Sequence, residues 1–393
     1  MNVEPLRSRT ARIILLFLAG LVCGCDRMAD PPPALSAEAV LGEQAFNDPV
    51  LSVSGRLACV SCHAAAFGQA APNALAVQFG GPELKTPGLR ASQPIRYLAT
   101  NAAFHFDQEG KARGGFFWDG RADSLALQSH GPLLGAVEMA NPDKAAVVRR
   151  MAAATWAKDF RALYGEDIFK DTDRAFDKLS QALQRFQIED TLTRGYTSKY
   201  DEVLRGRANL TAQEARGLAL FNDPAKGNCA ACHTSEKSAD GSHPLFTDFS
   251  YDNLGVPRNP DIPANQDPRH FDLGLCNRQE LRARDDLCGA FKVPTLRNVA
   301  LRRAYFHNGR FKTLQDVLTF YVERDTHPQK WYPRNADGSI RKFDDLPRRY
   351  LSNVNVAEVP YDRKPGDAPA LNATEIEDVI AFLRTLSDGW KAD

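Results

Sequence analysis

Apolar residues recur at helical spacing in two well-separated stretches of the chain. Over 176–189 (FDKLSQALQRFQIE) Leu179, Leu183 and Phe186 share one face, and over 374–386 (TEIEDVIAFLRTL) Ile376, Val379, Ile380, Leu383 and Leu386 do the same. Asn372, with Glu375 three residues on, marks the start of the second of these helices. Two shorter helices are predicted to end at matching stops, Gly42-Glu-Gln-Ala-Phe46-Asn47-Asp48-Pro49 and Gly217-Leu-Ala-Leu-Phe221-Asn222-Asp223-Pro224. Proline cannot continue either one, and Thr211-Ala-Gln-Glu214 is a capping box at the start of the latter. No run alternates apolar and polar residues strongly, and 24 prolines and 27 glycines in 393 residues point to much loop. The expected fold is mostly α with long ordered loops.

The matching stops belong to an internal repeat. Each leads into a Cys-x-x-Cys-His motif, Cys59-Val-Ser-Cys62-His63 and Cys229-Ala-Ala-Cys232-His233, and each half closes with one of the amphipathic helices. A duplicated cytochrome c-like domain accounts for this order, with domains over 36–205 and 206–393 and a boundary near Gly206. Ahead of them, Arg7, Arg9 and Arg12 precede an apolar run, 13–22, too short to span a membrane as a mature helix. Residues 1–25 read as a lipoprotein signal peptide: Leu21-Val22-Cys23-Gly24-Cys25 resembles a bacterial cleavage box, and Cys25 would carry lipid and attach the chain to a membrane. Residues 26–35, with their run of prolines, would be an extended tether. An ordinary secretory peptide with an incidental cysteine is the alternative. Both readings export the chain, to the periplasm.

Composition changes little else. Basic and acidic side chains balance at 49 each and no basic stripe runs along the chain, so nucleic acid is not an expected partner. Of eight cysteines, Cys23 leaves with the signal, Cys25 takes lipid and four sit in the motifs. Cys276 and Cys288 remain, which in an oxidising compartment points to a disulfide, with two free buried thiols as the alternative.

Two thiols three positions apart reach the two vinyl groups of one haem, and the adjacent histidine lies under its iron. A zinc site would need further cysteine or histidine close by, and neither motif has them. Two covalent c-type haems are therefore expected, one on Cys59, Cys62 and His63, the other on Cys229, Cys232 and His233. The sixth ligand of each iron separates electron relay from catalysis. The four methionines are Met1, Met28, Met139 and Met151, so the C-terminal half has none to offer the second haem.

At this point several motifs carry a resemblance. Phe116-Phe-Trp118-Asp-Gly-Arg121, then Gln128, Pro132 and Glu138-Met139, resemble the distal-pocket stretch of bacterial dihaem cytochrome c peroxidases. Phe291-Lys-Val-Pro-Thr-Leu-Arg-Asn298, Tyr305-Phe-His307-Asn-Gly309 and the helix from Thr313 to Tyr321 resemble their second-haem segment. The likeness covers nearly all of the mature chain. Two departures point within that superfamily to MauG and its relatives. Tyr321 stands where ordinary peroxidases have a methionine ligand, so the resemblance implies tyrosinate ligation of the second haem, which favours high oxidation states. The alternative is an amphipathic residue of a helix. Many peroxidases also carry a loop histidine after the first motif, where this chain has Gln78-Phe79-Gly80-Gly81, implying a first haem held by His63 alone and open to peroxide. His105 reads as a structural histidine rather than a displaced ligand.

The same resemblance assigns roles. Glu138 and Gln128 would stand over the open iron, the carboxylate moving a proton between the peroxide oxygens and the amide orienting them. Pro132 would shape the pocket, Trp118 would be a stepping stone between the haems or simply core, and His307 a hydrogen-bond partner beside the second haem. One calcium ion is held in relatives by an asparagine side chain and two backbone carbonyls; the matching positions are Asn101, Arg302 and Ala304, the last two usually threonine and proline. The implied activity is a haem-dependent oxidoreductase that uses hydrogen peroxide, through a high-valent dihaem state, to oxidise a residue of a periplasmic partner protein. The stretches after Tyr321, including Lys330-Trp331-Tyr-Pro and Asp362-Arg-Lys-Pro-Gly-Asp, resemble the branch containing MbnH, which oxidises a tryptophan of its copper-handling partner MbnP. Gly227 stands where MauG has a surface tryptophan, and Trp331, Trp156 and Trp390 are other exits for an oxidising hole. The alternatives are a conventional dihaem peroxidase fed by a small cytochrome or cupredoxin, and a pure electron carrier.

Overall fold

Among the residues described by the computed structural model, Met1 and 34–392, nine α-helices carry the fold. The signal peptide, Cys25 and nearly all of the tether lie outside the described residues. The first half holds α1 (Ala37–Asn47), α2 (Leu125–Leu134), α3 (Lys144–Ala153), α4 (Ala157–Tyr164), α5 (Thr172–Arg194) and α6 (Lys199–Leu204). The second holds α7 (Ala212–Asn222), α8 (Leu314–Glu323) and α9 (Ala373–Arg384). Three antiparallel pairs of two-residue strands pin the loops: β1 (Phe79–Gly80) with β2 (Thr86–Pro87), β3 (His105–Phe106) with β4 (Ala112–Arg113), and β5 (Tyr251–Asp252) with β6 (Phe291–Lys292). The mostly helical expectation holds, and no helix among the described residues is long and apolar enough to cross a membrane.

Capping residues place the helix ends as the pattern predicted. Thr211 with Glu214, and Asn372 with Glu375, form complete capping boxes on α7 and α9. The helix expected over 176–189 is longer, because Asp171 caps it at the Arg174 amide and its polar flanks continue the turn.

The repeat has a packing reason. In α1 a Cβ at Gly42 would lie 2.0 Å from the Ala182 carbonyl oxygen of α5, and in α7 one at Gly217 would lie 1.9 Å from that of Asp378 in α9. Only glycine lets each pair of backbones approach so closely. One turn on, Phe46 packs its ring 5.3 Å from Phe186, and Phe221 packs 5.3 Å from Phe382. Gly-x-x-x-Phe is thus the crossing device of both halves.

Two hydrophobic clusters result. The first gathers Phe46, Leu133, Met151, Leu183 and Phe186; the second gathers Phe221, Phe246, Phe320, Phe382 and Leu386. Tyr200, on the N-terminal side of Gly206, packs in the second. Both clusters lie within one compact unit, Ala34–Asp393. Cys276 and Cys288 are joined as a disulfide, with Cα atoms 4.8 Å apart.

Candidate active site: two unequal cavities

Each Cys-x-x-Cys-His motif turns through a short 3-10 helix, and the histidine amide bonds back to the first cysteine carbonyl, at 3.0 Å for His63 and 2.8 Å for His233. Each histidine is then held by its ring. Nδ1 of His63 lies 3.2 Å from the Gln69 carbonyl oxygen, and Nδ1 of His233 lies 2.7 Å from that of Phe246. A carbonyl can only accept, so Nδ1 carries the proton and Nε2 keeps its lone pair for a metal. Burial also holds both imidazoles below the usual range, in the neutral form that ligates.

The first cavity is lined by Cys59, Cys62, His63, Gln128, Pro132 and Glu138. Ser124 caps α2 by accepting from the Leu127 amide at 3.1 Å, and the helix then presents Gln128 and Pro132 one turn apart on the cavity side. Glu138 follows on a turn closed by its amide to the Gly135 carbonyl, 2.9 Å. It lines the cavity while keeping an exposed side chain, and desolvation by the cavity wall raises its pKa, with the charge of Arg121 opposing. Arg121 lies 3.5 Å over the Phe117 ring and bonds Asp119 at 3.0 Å. The 78–81 segment packs against the backbone behind Glu138: the Gly81 amide donates to the Glu138 carbonyl at 2.8 Å, and a Cβ on Gly80 would lie 2.3 Å from the Val137 carbonyl oxygen. Gln78 is engaged with Asn73 through two amide bonds of 2.9 and 3.0 Å.

The second cavity is lined by Cys229, Cys232, His233, His307 and Tyr321, with no methionine among its lining residues. Thr313 caps α8 at the Asp316 amide, and the helix carries Tyr321 into the cavity opposite the motif's elements. Burial pushes the Tyr321 phenol well up, and Tyr361, with its ring 5.9 Å away, works against this. Ionisation of Tyr321 therefore requires a cation beside it. His307 stacks on Phe291 with centroids 3.5 Å apart, and burial lowers its pKa to about 4.

Trp118 and Asp272 line both cavities. Trp118 is 5% exposed and donates Nε1–H to the Ala91 carbonyl at 2.9 Å. Arg90 holds Asp272 through two bonds of 2.6 and 2.7 Å and reaches Asp119 at 2.7 Å. Asp272, Tyr361 and the side chains of Lys292 and Arg302 were not singled out in the sequence; single polar residues outside the helices carry no periodic signal. Asn101 is buried beside this wall: its Nδ2 donates to the Gly115 carbonyl at 2.6 Å, while its Oδ1 has no partner. Arg302 and Ala304 are buried, and the Arg302 carbonyl accepts from the Tyr305 hydroxyl at 2.9 Å. His105 is exposed on the β3–β4 hairpin and lines neither cavity. Position 227 cannot take a larger side chain without movement, since a Cβ there would lie 2.6 Å from the Leu220 carbonyl oxygen.

The pattern describing di-haem cytochrome c peroxidases matches residues 36–209. The methylamine utilization protein MauG of Paracoccus denitrificans is 34% identical over 381 residues, 94% of each chain. The chain belongs to the di-haem cytochrome c peroxidase/MauG family. The crystal structure of the diheme peroxidase BthA from Burkholderia thailandensis is similar with a TM-score of 0.83 and 40% identity, over 91% of this chain and 87% of that one. A MauG-like protein associated with microbial copper homeostasis is similar with a TM-score of 0.63 and 26% identity, over 93% and 95%.

This di-haem family member is a peroxide-dependent haem oxidoreductase, and membership implies two c-type haems. Its residues fit them: each cavity presents a cysteine pair and a neutral histidine with Nε2 free. When bound, the haems supply the redox chemistry. The protein's part is to orient the two histidines and keep them neutral, with Nε2 turned free.

Proposed function

We propose that this chain uses hydrogen peroxide to withdraw two electrons from a residue, a tryptophan, of a periplasmic partner protein, sharing the oxidising equivalents between its two sites. Tyr321 in the second cavity carries this reading: an anionic oxygen supports a more oxidised metal than a thioether does. Glu138 takes a proton from one peroxide oxygen and returns it to the leaving oxygen, while Gln128 orients the peroxide and Pro132 narrows the space above His63. Trp118, shared by both cavity walls, conducts between them. Trp331 packs beside this path, with Phe320 between it (5.6 Å) and Tyr321 (6.4 Å), whereas Trp156 is buried on Asp48 in the first cluster. Likeness to MauG and to the copper-homeostasis protein supports a partner protein as substrate. The free Oδ1 of Asn101 suits one calcium ion completed by the Arg302 and Ala304 carbonyls. Lipid on Cys25 would tether the enzyme to a membrane facing the periplasm.

A second reading, turnover of peroxide with electrons from a small cytochrome or cupredoxin, is favoured by the likeness to BthA. Steady-state assay with reduced cytochrome c separates the two, since sustained turnover at peroxidase rates supports only the second. Tyr321→Met is expected to abolish the stable two-equivalent product of peroxide titration, followed by Mössbauer and near-infrared spectroscopy; its persistence would remove Tyr321 from the mechanism.

A further inference from the structure

We infer that Arg302 and Lys292 together bind the propionates of the second haem, and that the guanidinium of Arg302 sets that haem's reduction potential. The inference rests on the second cavity holding a c-type haem. Both side chains line that cavity, and both are buried, at 6% and 4% exposure. Neither forms an ion pair among the described residues. Lys292 donates to the Gly115 carbonyl at 2.5 Å, and Arg302 leaves Nε and Nη2 buried with no partner. An isolated buried cation costs several kcal/mol, on the order of a lost ion pair, unless an anion joins it.

The acids of the same cavity are already committed. Asp272 is paired with Arg90 (2.6 and 2.7 Å) and Asp345 with Arg258 (3.0 Å), while Asp252 and Glu358 accept from the Asn355 amide (3.1 and 2.9 Å) and form no ion pair with Arg302 or Lys292. Two cations without an ion-pair partner thus face a cofactor whose edge carries two carboxylates. Guanidinium is suited to a carboxylate because its donors form a fixed fork. The Arg302 guanidinium carbon also lies 6.0 Å from the Trp118 ring centroid, on the wall shared by both cavities. Its charge therefore acts where electrons pass between the sites, and it favours the reduced second haem over the more positive oxidised one.

The test is a spectroelectrochemical titration of the holoprotein, reading the second haem by its low-spin signals, after haem per chain has been counted. In Arg302→Gln the reduction equilibrium of the second haem should move at least tenfold toward the oxidised form, about 59 mV for one electron. Arg302→Lys, which keeps the charge, should stay within about twofold of the parent. An Arg302→Gln protein with two haems and an unmoved potential overturns the inference. If Arg302→Gln fails to take up the second haem, Arg302→Lys decides: loading with the parental potential supports the inference, and failure to load overturns it. A parent protein with fewer than two haems would instead overturn the haem reading itself.

Discussion

Replacing Asp201 by asparagine tests how the second half is held together. Asp201 and Arg297 are both fully buried and face each other through two bonds of 2.9 and 3.0 Å. The Asp201 carboxylate also accepts from the Ser198 hydroxyl at 2.6 Å and amide at 3.0 Å, and from His243 at 2.5 Å. Burial alone would raise its pKa, but the bonds and charge of Arg297, with Ser198, outweigh it and hold the carboxyl at about 2 instead of 3.8. At about 1.4 kcal/mol per pH unit, that depression corresponds to roughly 2.5 kcal/mol of stability. Removing one partner of a buried pair costs about 3–5 kcal/mol, and asparagine keeps one acceptor, so a loss of about 3 kcal/mol at pH 7 is expected. A folded-state pKa below the unfolded one gives stability that is full above pH 3.8 and lost as pH falls toward about 2. The gap between parent and variant should therefore close across that window. Urea unfolding followed by Soret circular dichroism measures it. A loss below about 1 kcal/mol with unchanged slope, or a gap that does not narrow in acid, refutes the reasoning. The second site should respond too. Nε of Arg297 holds the Pro244 carbonyl at 2.8 Å, two residues before the Phe246 carbonyl that orients His233.

Glu138→Gln should slow the reaction with peroxide by about 10²–10⁴-fold in stopped-flow measurements. The parental rate should rise with pH through the raised pKa of Glu138, whereas the variant should be flat; a variant within tenfold of the parent rules out Glu138 as the proton carrier. Gly217→Ala should destabilise by about 1–3 kcal/mol despite alanine's better helix propensity, because the new methyl meets backbone of α9. An unchanged melting temperature would show that α7 and α9 separate at no cost.

Much of the site was legible before the fold was known, because its chemistry is written in local spacing. The two Cys-x-x-Cys-His motifs and the helix that carries Tyr321 are contiguous features, and the structure places one motif at each cavity, with Tyr321 at the second. The repeated Gly-x-x-x-Phe was visible as a pattern, but its cause, two backbones crossing at Gly42 and Gly217, needed the partner helices. Expectations about His105 show the limit from the other side. It reads as a structural histidine and not a ligand, and it lines neither cavity. Its exposure on a hairpin, with Nδ1 3.0 Å from the Ala103 carbonyl oxygen, was set by strand pairing that no local pattern shows.

What the sequence by itself determined is which groups are covalently able to hold haem, and that the two sites differ, since ligand chemistry depends on residue type and short spacing. Tertiary structure alone decided which side chains share a wall. Trp118 comes from the first half and Asp272 from a loop of the second, yet both line the two cavities, and Lys292 and Arg302 line the second cavity with them. Long-range packing and the balance of buried charge place them, and neither leaves a period along the chain.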